Sequence, residues 1–248
     1  MADENPFGLN ITRRFVSPEA ENRLYRKESP GNHGEVELVD YMGGDEVVAR
    51  VATAGHGTNI FPERPDQREL LQHLVASGIY DPFTAVQLKL SMQVPITSAL
   101  EFVYERSGSV NEYSERYSEM LDSGKIPRVE QIESMINSAR IPTIQELEKR
   151  GVHYEKATKI HDEMVKVRQD SLNIYKELLG VDFARELARI GLGTNNDTRF
   201  YWLIDLPSLA NFVSKERKKL SLHDSTRDYV ECVAELARSI APDSWDAL

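Results

Sequence analysis

The sequence predicts an α+β domain in which a small, mainly antiparallel sheet is covered by helices. Three observations predict it. Val36 to Asp40 and Val86 to Val94 alternate apolar and polar residues, the period of strands with one buried face. Residues 65–78, 144–179, 181–190 and 226–240 instead place apolar residues at helical spacing. The two patterns interleave along the chain without an internal repeat.

Taken in order, residues 1–34 scatter Pro6, Pro18, Pro30, Gly31 and Gly34 among charges. They read as an N-terminal arm packed on the body or on a neighbouring subunit, with a free tail as the alternative. Residues 35–248 form the domain. After the strand at Val36, Asp45 has the position of an N-cap for a helix through Ala52. Pro65 opens and Gly78 closes the next helix. Pro95 stops the strand at 86–94, and Ile96 to Tyr104 is a short apolar helix. Asp122 to Pro127 is a loop, and Thr143 with Glu146 makes a capping box for the long charged helix to Leu179. Val181 to Ile190 is a further helix ending at Gly191, and a polar loop, Gly191 to Asp197, leads into the aromatic run at Thr198. Leu206 to Val213 and Thr226 to Ile240 close the chain as helices.

The chain has 248 residues, enough for one full core. Its 40 acids against 30 Lys and Arg give a net charge of −10, which argues against nucleic-acid polymers and anionic membranes as partners. Any phosphate must be held by a local arginine cluster. A lone cysteine, Cys232, excludes an internal disulfide and a multi-cysteine metal site, and fits a reducing cytoplasm. It lies within a helical apolar pattern, where a buried small residue is expected rather than a nucleophile. No metal site is expected. The polar, acidic start does not resemble a secretory signal, and no apolar run approaches the roughly 20 residues of a membrane span, so a soluble cytoplasmic protein is expected.

The densest chemistry lies at Ser107 to Tyr117, where acceptors, hydroxyls and a guanidinium follow an apolar segment. On an extended backbone Ser114 and Arg116 would point the same way, so a hydroxyl and a planar fork of donors could close on one phosphate. A solvated loop with local pairs is the plainer reading of the same residues. The seven residues between Arg106 and Ser114, with Asn111-Glu112-Tyr113-Ser114 and then Arg116-Tyr117, resemble the motif of flavin-dependent thymidylate synthases. Val36 to Glu46, Asp81-Pro82-Phe83, Val94-Pro95-Ile96, Ala184 to Arg189, Thr198 to Trp202, and Arg227 with Tyr229 resemble further family segments in the family's order.

The resemblance implies a homotetramer with sites shared between subunits, FAD as cofactor, methylene-tetrahydrofolate as carbon donor and NADPH as reductant. By matching position Glu112, Ser114 and Arg116 hold a uridine monophosphate, Arg199 reaches the same phosphate from another subunit, and Arg227 polarises the pyrimidine as the catalytic cation. Each has a plainer role open to it. Arg199 stacks with its aromatic neighbours, or Arg227 pairs with Asp224 or Asp228. The flavin contacts fall on Tyr104, Glu105, Arg106 and Arg217.

The chain also departs from the family. The family's Arg-His-Arg run is Tyr104-Glu105-Arg106, its Arg-Gln pair is Leu100-Glu101, and a histidine is replaced by Ala85. Glu101 can accept hydrogen bonds from ribose hydroxyls, which points to a specialised homologue taking UMP as well as dUMP, similar to the UMP C5-methylases of polyoxin-type nucleoside antibiotic pathways. A housekeeping thymidylate synthase making dTMP and a non-catalytic nucleotide-binding homologue are the alternatives.

Overall fold

The computed structural model describes residues 15–56, 66–104, 108–114, 119–136, 150–218 and 224–248. Its centre is one five-stranded antiparallel sheet of order β1-β2-β3-β5-β4. The strands are β1 (Lys27–Glu28), β2 (Glu35–Met42), β3 (Gln87–Pro95), β4 (Ser109–Glu112) and β5 (Asp197–Asp205). One face is apolar. Val36, Leu38 and Tyr41 of β2, Leu88, Leu90, Met92 and Val94 of β3, and Phe200, Trp202 and Ile204 of β5 are all buried. Along β2 the alternation changes phase after Leu38, because Leu38 faces Leu90 while Asp40 already faces Lys89. Val39 is thus the extra residue of a bulge, which returns Tyr41 to the core.

The helices are α1 (Pro18–Glu21), α2 (Asp45–His56), α3 (Gln67–Ala76), α4 (Ile96–Tyr104), α5 (Val129–Ile136), α6 (Arg150–Gly180), α7 (Arg185–Ala188), α8 (Leu206–Lys218), α9 (Asp224–Ile240) and α10 (Pro242–Ala247). Those that cover the apolar face bring Leu71, Phe102, Leu209, Phe212, Val233 and Ala237 into the same core. Its densest part is aromatic. Phe102 of α4 meets Trp202 edge-on at 5.3 Å, and Phe212 of α8 meets Trp202 edge-on at 5.4 Å. Such pairs add about 0.5–1.5 kcal/mol each beyond area burial. The other sheet face is polar and carries Lys89, Ser91, Gln93, Arg199 and Tyr201.

The strands and most helices expected from the sequence are present, with three corrections. Asp45 does not cap its own helix. It is the first residue of α2, whose first turn is closed by the Gly44 carbonyl, while the Asp45 carboxylate accepts from the backbone N–H of Asp243 at 3.0 Å and of Ser244 at 2.7 Å. It therefore caps α10, a helix the pattern did not predict because it has only six residues. The helix expected at 181–190 shrinks to the four residues of α7. Leu178 O takes the N–H groups of Val181 and Phe183 while Asp182 turns left-handed (φ 56°), so ending α6 consumes the first half of the expected segment. The short α5 was not predicted either.

Of the helix expected from 144, the part from Arg150 is described and runs to Gly180. The capping pair Thr143 and Glu146 lies outside the described residues, as does Pro65. The 31 residues of α6 extend about 46 Å at 1.5 Å per residue. Ala157, Leu172 and Tyr175 are buried, yet Tyr154, Met164, Val167 and Ile174 are exposed, as are Val181, Phe183, Leu187 and Ile190 beyond it. No helix among the described residues is long and apolar enough to cross a membrane.

Candidate nucleotide site

The polar motif enters the fold as an edge strand. β4 pairs with β5 so that Asn111 faces Tyr201 and Glu112 faces Phe200, and the Tyr113 N–H continues the ladder to Arg199 O at 2.8 Å. Gly108 allows this approach, since a Cβ there would collide with the Trp202 indole. Glu112 shares the face of Phe200, and its carboxylate accepts from Thr198 Oγ1 at 2.7 Å. Thr198 is buried, so this acid has a fixed position although Glu112 itself is exposed. Ser114 follows on exposed backbone. Arg116 lies outside the described residues, as do Glu105, Arg106 and His223.

Arg199 is the neighbour of Thr198 in β5 and projects to the opposite face, as strand alternation requires. There it forms a row with Gln93 of β3 and Glu35 of β2. Its Nη2 donates to Gln93 Oε1 at 2.5 Å and lies 3.9 Å from Glu35, while 41% of the side chain stays exposed. The stacking reading is not what the row provides.

A second group gathers where α4 meets the start of α9. Thr226 and the buried Ser98 are joined through their hydroxyls at 3.0 Å. Glu101 is half-buried one turn along α4 from Ser98, and Arg227 is exposed in the first turns of α9. Tyr104, 74% exposed, ends α4. Arg217 near the end of α8 forms a two-pronged pair with Glu231 of α9, through Nε at 2.9 Å and Nη2 at 2.5 Å. Arg227 lies four residues before Glu231. The Arg217 hydrogen bond pulls the Glu231 carboxyl below its ordinary value; burial opposes this, and the charges of Arg217 and Arg227 reinforce it. Glu231 thus holds the arginine expected at the flavin and feels the charge of the one expected at the base, a role the sequence reading missed.

Also missed was a buried polar group at the start of β5. Asp197, 0% exposed, accepts from His33 Nε2 at 2.8 Å and from Gln93 Nε2 at 3.4 Å. Tyr229 donates its hydroxyl to His33 O at 2.9 Å. Burial and then the charges of Asp197 and Asp228 push that phenol well above its usual value, so it remains a donor. His33 and Asp197 are 164 residues apart, and no local pattern announces them.

Among the described residues, no group of three or more His, Cys, Asp and Glu could hold a metal ion. A cavity of about 480 Å³ lies between α6 and the loop 191–195, lined by Arg168, Ser171 and Thr194 among others. None of the expected nucleotide residues lines it. For a flavin, the described surface offers an exposed aromatic ring at Tyr104 and a guanidinium at Arg217, the chemistry that planar rings and phosphates require. Tyr104 and the edge of Arg217 not taken up by Glu231 could receive such a group.

Comparison with known proteins supplies the wider frame. The family described as "Thymidylate synthase complementing protein" matches residues 37–243. A flavin-dependent thymidylate synthase of Ehrlichia ruminantium (strain Gardel) is 30% identical over 237 residues, which cover 96% of this chain and 77% of the relative. The flavin-dependent thymidylate synthase of Ruegeria pomeroyi is also 30% identical, over 240 residues, with 95% and 77% covered. Among solved structures, the UMP/dUMP methylase PolB from Streptomyces cacaoi bound with 5-Br dUMP shares the fold at a TM-score of 0.68. That match has 21% identity and covers 86% of this chain and 93% of the other.

Proposed function

The chain belongs to the thymidylate synthase complementing protein family, and from that premise we propose that it is a flavin-dependent enzyme methylating uridylate at C5. The observation that carries the proposal is the pairing of β4 with β5. It sets Glu112 opposite Phe200, one residue out of register with Arg199 and so on the opposite face of the sheet. One subunit therefore cannot close both side chains on a single nucleotide. Two copies can, with Glu112, Ser114 and Arg116 of one and Arg199 of another.

The homotetramer with shared sites that the family resemblance implies is in keeping with this division. The exposed apolar residues of α6 and of the segment after it supply surface for the assembly. Light scattering on the purified protein tests it, and a monomer at working concentrations would refute the shared site.

In the reaction FAD supplies hydride, methylene-tetrahydrofolate the carbon and NADPH the reducing equivalents. Tyr104 and Arg217, with Glu105 and Arg106, would hold the flavin. Arg227 stands as a fixed cation where charge develops on the pyrimidine as C5 becomes nucleophilic. Ser114 and the arginines bind and orient the phosphate, so the ring is presented in one pose. Glu112, held by Thr198, would accept from the sugar, and Glu101 is assigned to the ribose end, where a carboxylate can accept from a 2′-hydroxyl. This last feature motivates acceptance of UMP beside dUMP and a place in specialised nucleoside synthesis in the cytoplasm.

The decisive experiment incubates enzyme with FAD, methylene-tetrahydrofolate, NADPH and either dUMP or UMP, and detects methylated product by mass. Product from both supports the specialised reading. Product from dUMP alone leaves a housekeeping thymidylate synthase, and colourless protein that takes up no FAD and makes no product rejects the enzyme.

A further inference from the structure

We propose that His33, acting through Asp197 and Gln93, positions the guanidinium of Arg199 for the nucleotide phosphate; the inference rests on the nucleotide-site reading of Arg199. The geometry is a directional chain. His33 Nε2 meets Asp197 Oδ1 at 2.8 Å, Asp197 Oδ2 meets Gln93 Nε2 at 3.4 Å, and Gln93 Oε1 meets Arg199 Nη2 at 2.5 Å. An ionised carboxylate only accepts and a guanidinium only donates. The Gln93 amide between them has one satisfactory orientation, nitrogen toward Asp197 and oxygen toward Arg199. Turned over, it would present its NH₂ group to Arg199, donor against donor. The amide that orients the arginine is thus itself oriented by the buried acid.

His33 sets the other end of the chain. Asp197 is fully buried, and a carboxylate removed from water needs donors to stay there. The imidazole is the closest of them. Its backbone is held from two sides, by the Tyr229 hydroxyl on its carbonyl and by Gly34, which takes a left-handed φ of 67° where a Cβ would run into Gln93 O and the Tyr229 hydroxyl. Ser123 Oγ, 3.2 Å from Gln93 Nε2, adds a further tie on the same amide nitrogen. The exposed part of Arg199 leaves guanidinium surface free to meet an anion. Of its four members only Arg199 is assigned to the nucleotide, at the phosphate, so the effect is expected there. His33 is a positioning residue.

The test uses full-length enzyme with FAD and compares affinities for dUMP and for deoxyuridine, which lacks only the phosphate. His33→Leu is expected to weaken dUMP about tenfold, the worth of one well-placed charge-assisted hydrogen bond, and to leave deoxyuridine unchanged. His33→Gln, which keeps a donor near the Nε2 position, restores most of the loss. Equal weakening of both ligands would show a merely structural role and overturn the proposal, as would an unaltered dUMP affinity. Gln93→Leu provides the same reading where His33→Leu fails to fold. Arg199→Ala separates the two levels of the argument. If that variant binds dUMP normally, the placement of Arg199 at the phosphate fails and the positioning role falls with it. If it loses dUMP while both His33→Leu and Gln93→Leu keep it, only the positioning role fails.

Discussion

Cys232 offers the sharpest test of how the reaction proceeds, because thiol nucleophiles are the obvious alternative route to methylating a uracil ring. The thiol lies half-buried on α9 and donates to Glu28 Oε2 at 3.4 Å. Glu28 is itself gripped by Arg23 through three contacts of 2.7–2.9 Å, which hold its negative charge beside the thiol. Burial, followed by the charge of Glu28, pushes the thiol up to about 12. At pH 8 the thiolate fraction is then about 1 in 10⁴, against about a quarter for an ordinary thiol of pKa about 8.5. Only the thiolate reacts, so iodoacetamide should label native Cys232 about three orders of magnitude more slowly than the guanidinium-unfolded chain at the same pH. Peptide mass measurement over time reads both rates. Cys232→Ala should keep most of kcat and lose about 1 kcal/mol of stability from the small space left behind. Rapid native labelling, or a Cys232→Ala enzyme that melts normally but makes no product, would refute the assignment of a bystander thiol.

Three other perturbations have defined outcomes. Asp45→Ala removes both side-chain bonds that cap α10 and should cost about 2–4 kcal/mol, lowering Tm by roughly 4–8 °C in a thermal melt; an unchanged Tm would show that the cap is idle. Arg116→Ala should remove phosphate affinity worth about 2 kcal/mol, read as the dUMP Kd, and an unchanged Kd would reject the motif as the nucleotide grip. Asp122 lies below its ordinary value chiefly through the hydrogen bond from Lys176. A depressed carboxylate stabilises above its unfolded pKa and loses that contribution as pH falls through the folded one. Lys176→Ala should therefore speed hydrogen exchange in the loop 119–128 at pH 7, and the difference from the parent should shrink as the pH falls through the lowered pKa of Asp122.

Much of the fold was legible because the sheet has one wet face. Leu88, Leu90, Met92 and Val94 alternate with less apolar neighbours, and a strand with that period can bury only one side. The same logic fails where tertiary partners decide the outcome. Asp45 carries a clear capping signal, but which helix it caps depends on a contact 198 residues away. Val181, Phe183, Leu187 and Ile190 have helical spacing, yet their side chains lie exposed, so that spacing does not mark a helix packed in its own core. The bulge at Val39 shows only in the pairing register with β3.

The candidate site divides along the same line. The motif from Asn111 to Tyr117 is contiguous, and chemistry plus resemblance locate it. What no contiguous pattern records is which way its members face. Glu112 and Arg199 are both expected at the nucleotide, and a list of residues would place them around one phosphate. The register shows Thr198 holding Glu112 on the core side while Gln93 holds Arg199 on the open side. Strand geometry ties these two facts together, since Thr198 and Arg199 are consecutive and must diverge. A one-residue slip of β4 against β5 would break the Glu112 to Thr198 bond and move Glu112 to the face of Arg199, dissolving the need for a second copy. The bond between Thr198 and Glu112 therefore does more than fix an acid. It holds the register on which the proposed sharing of the site between subunits depends.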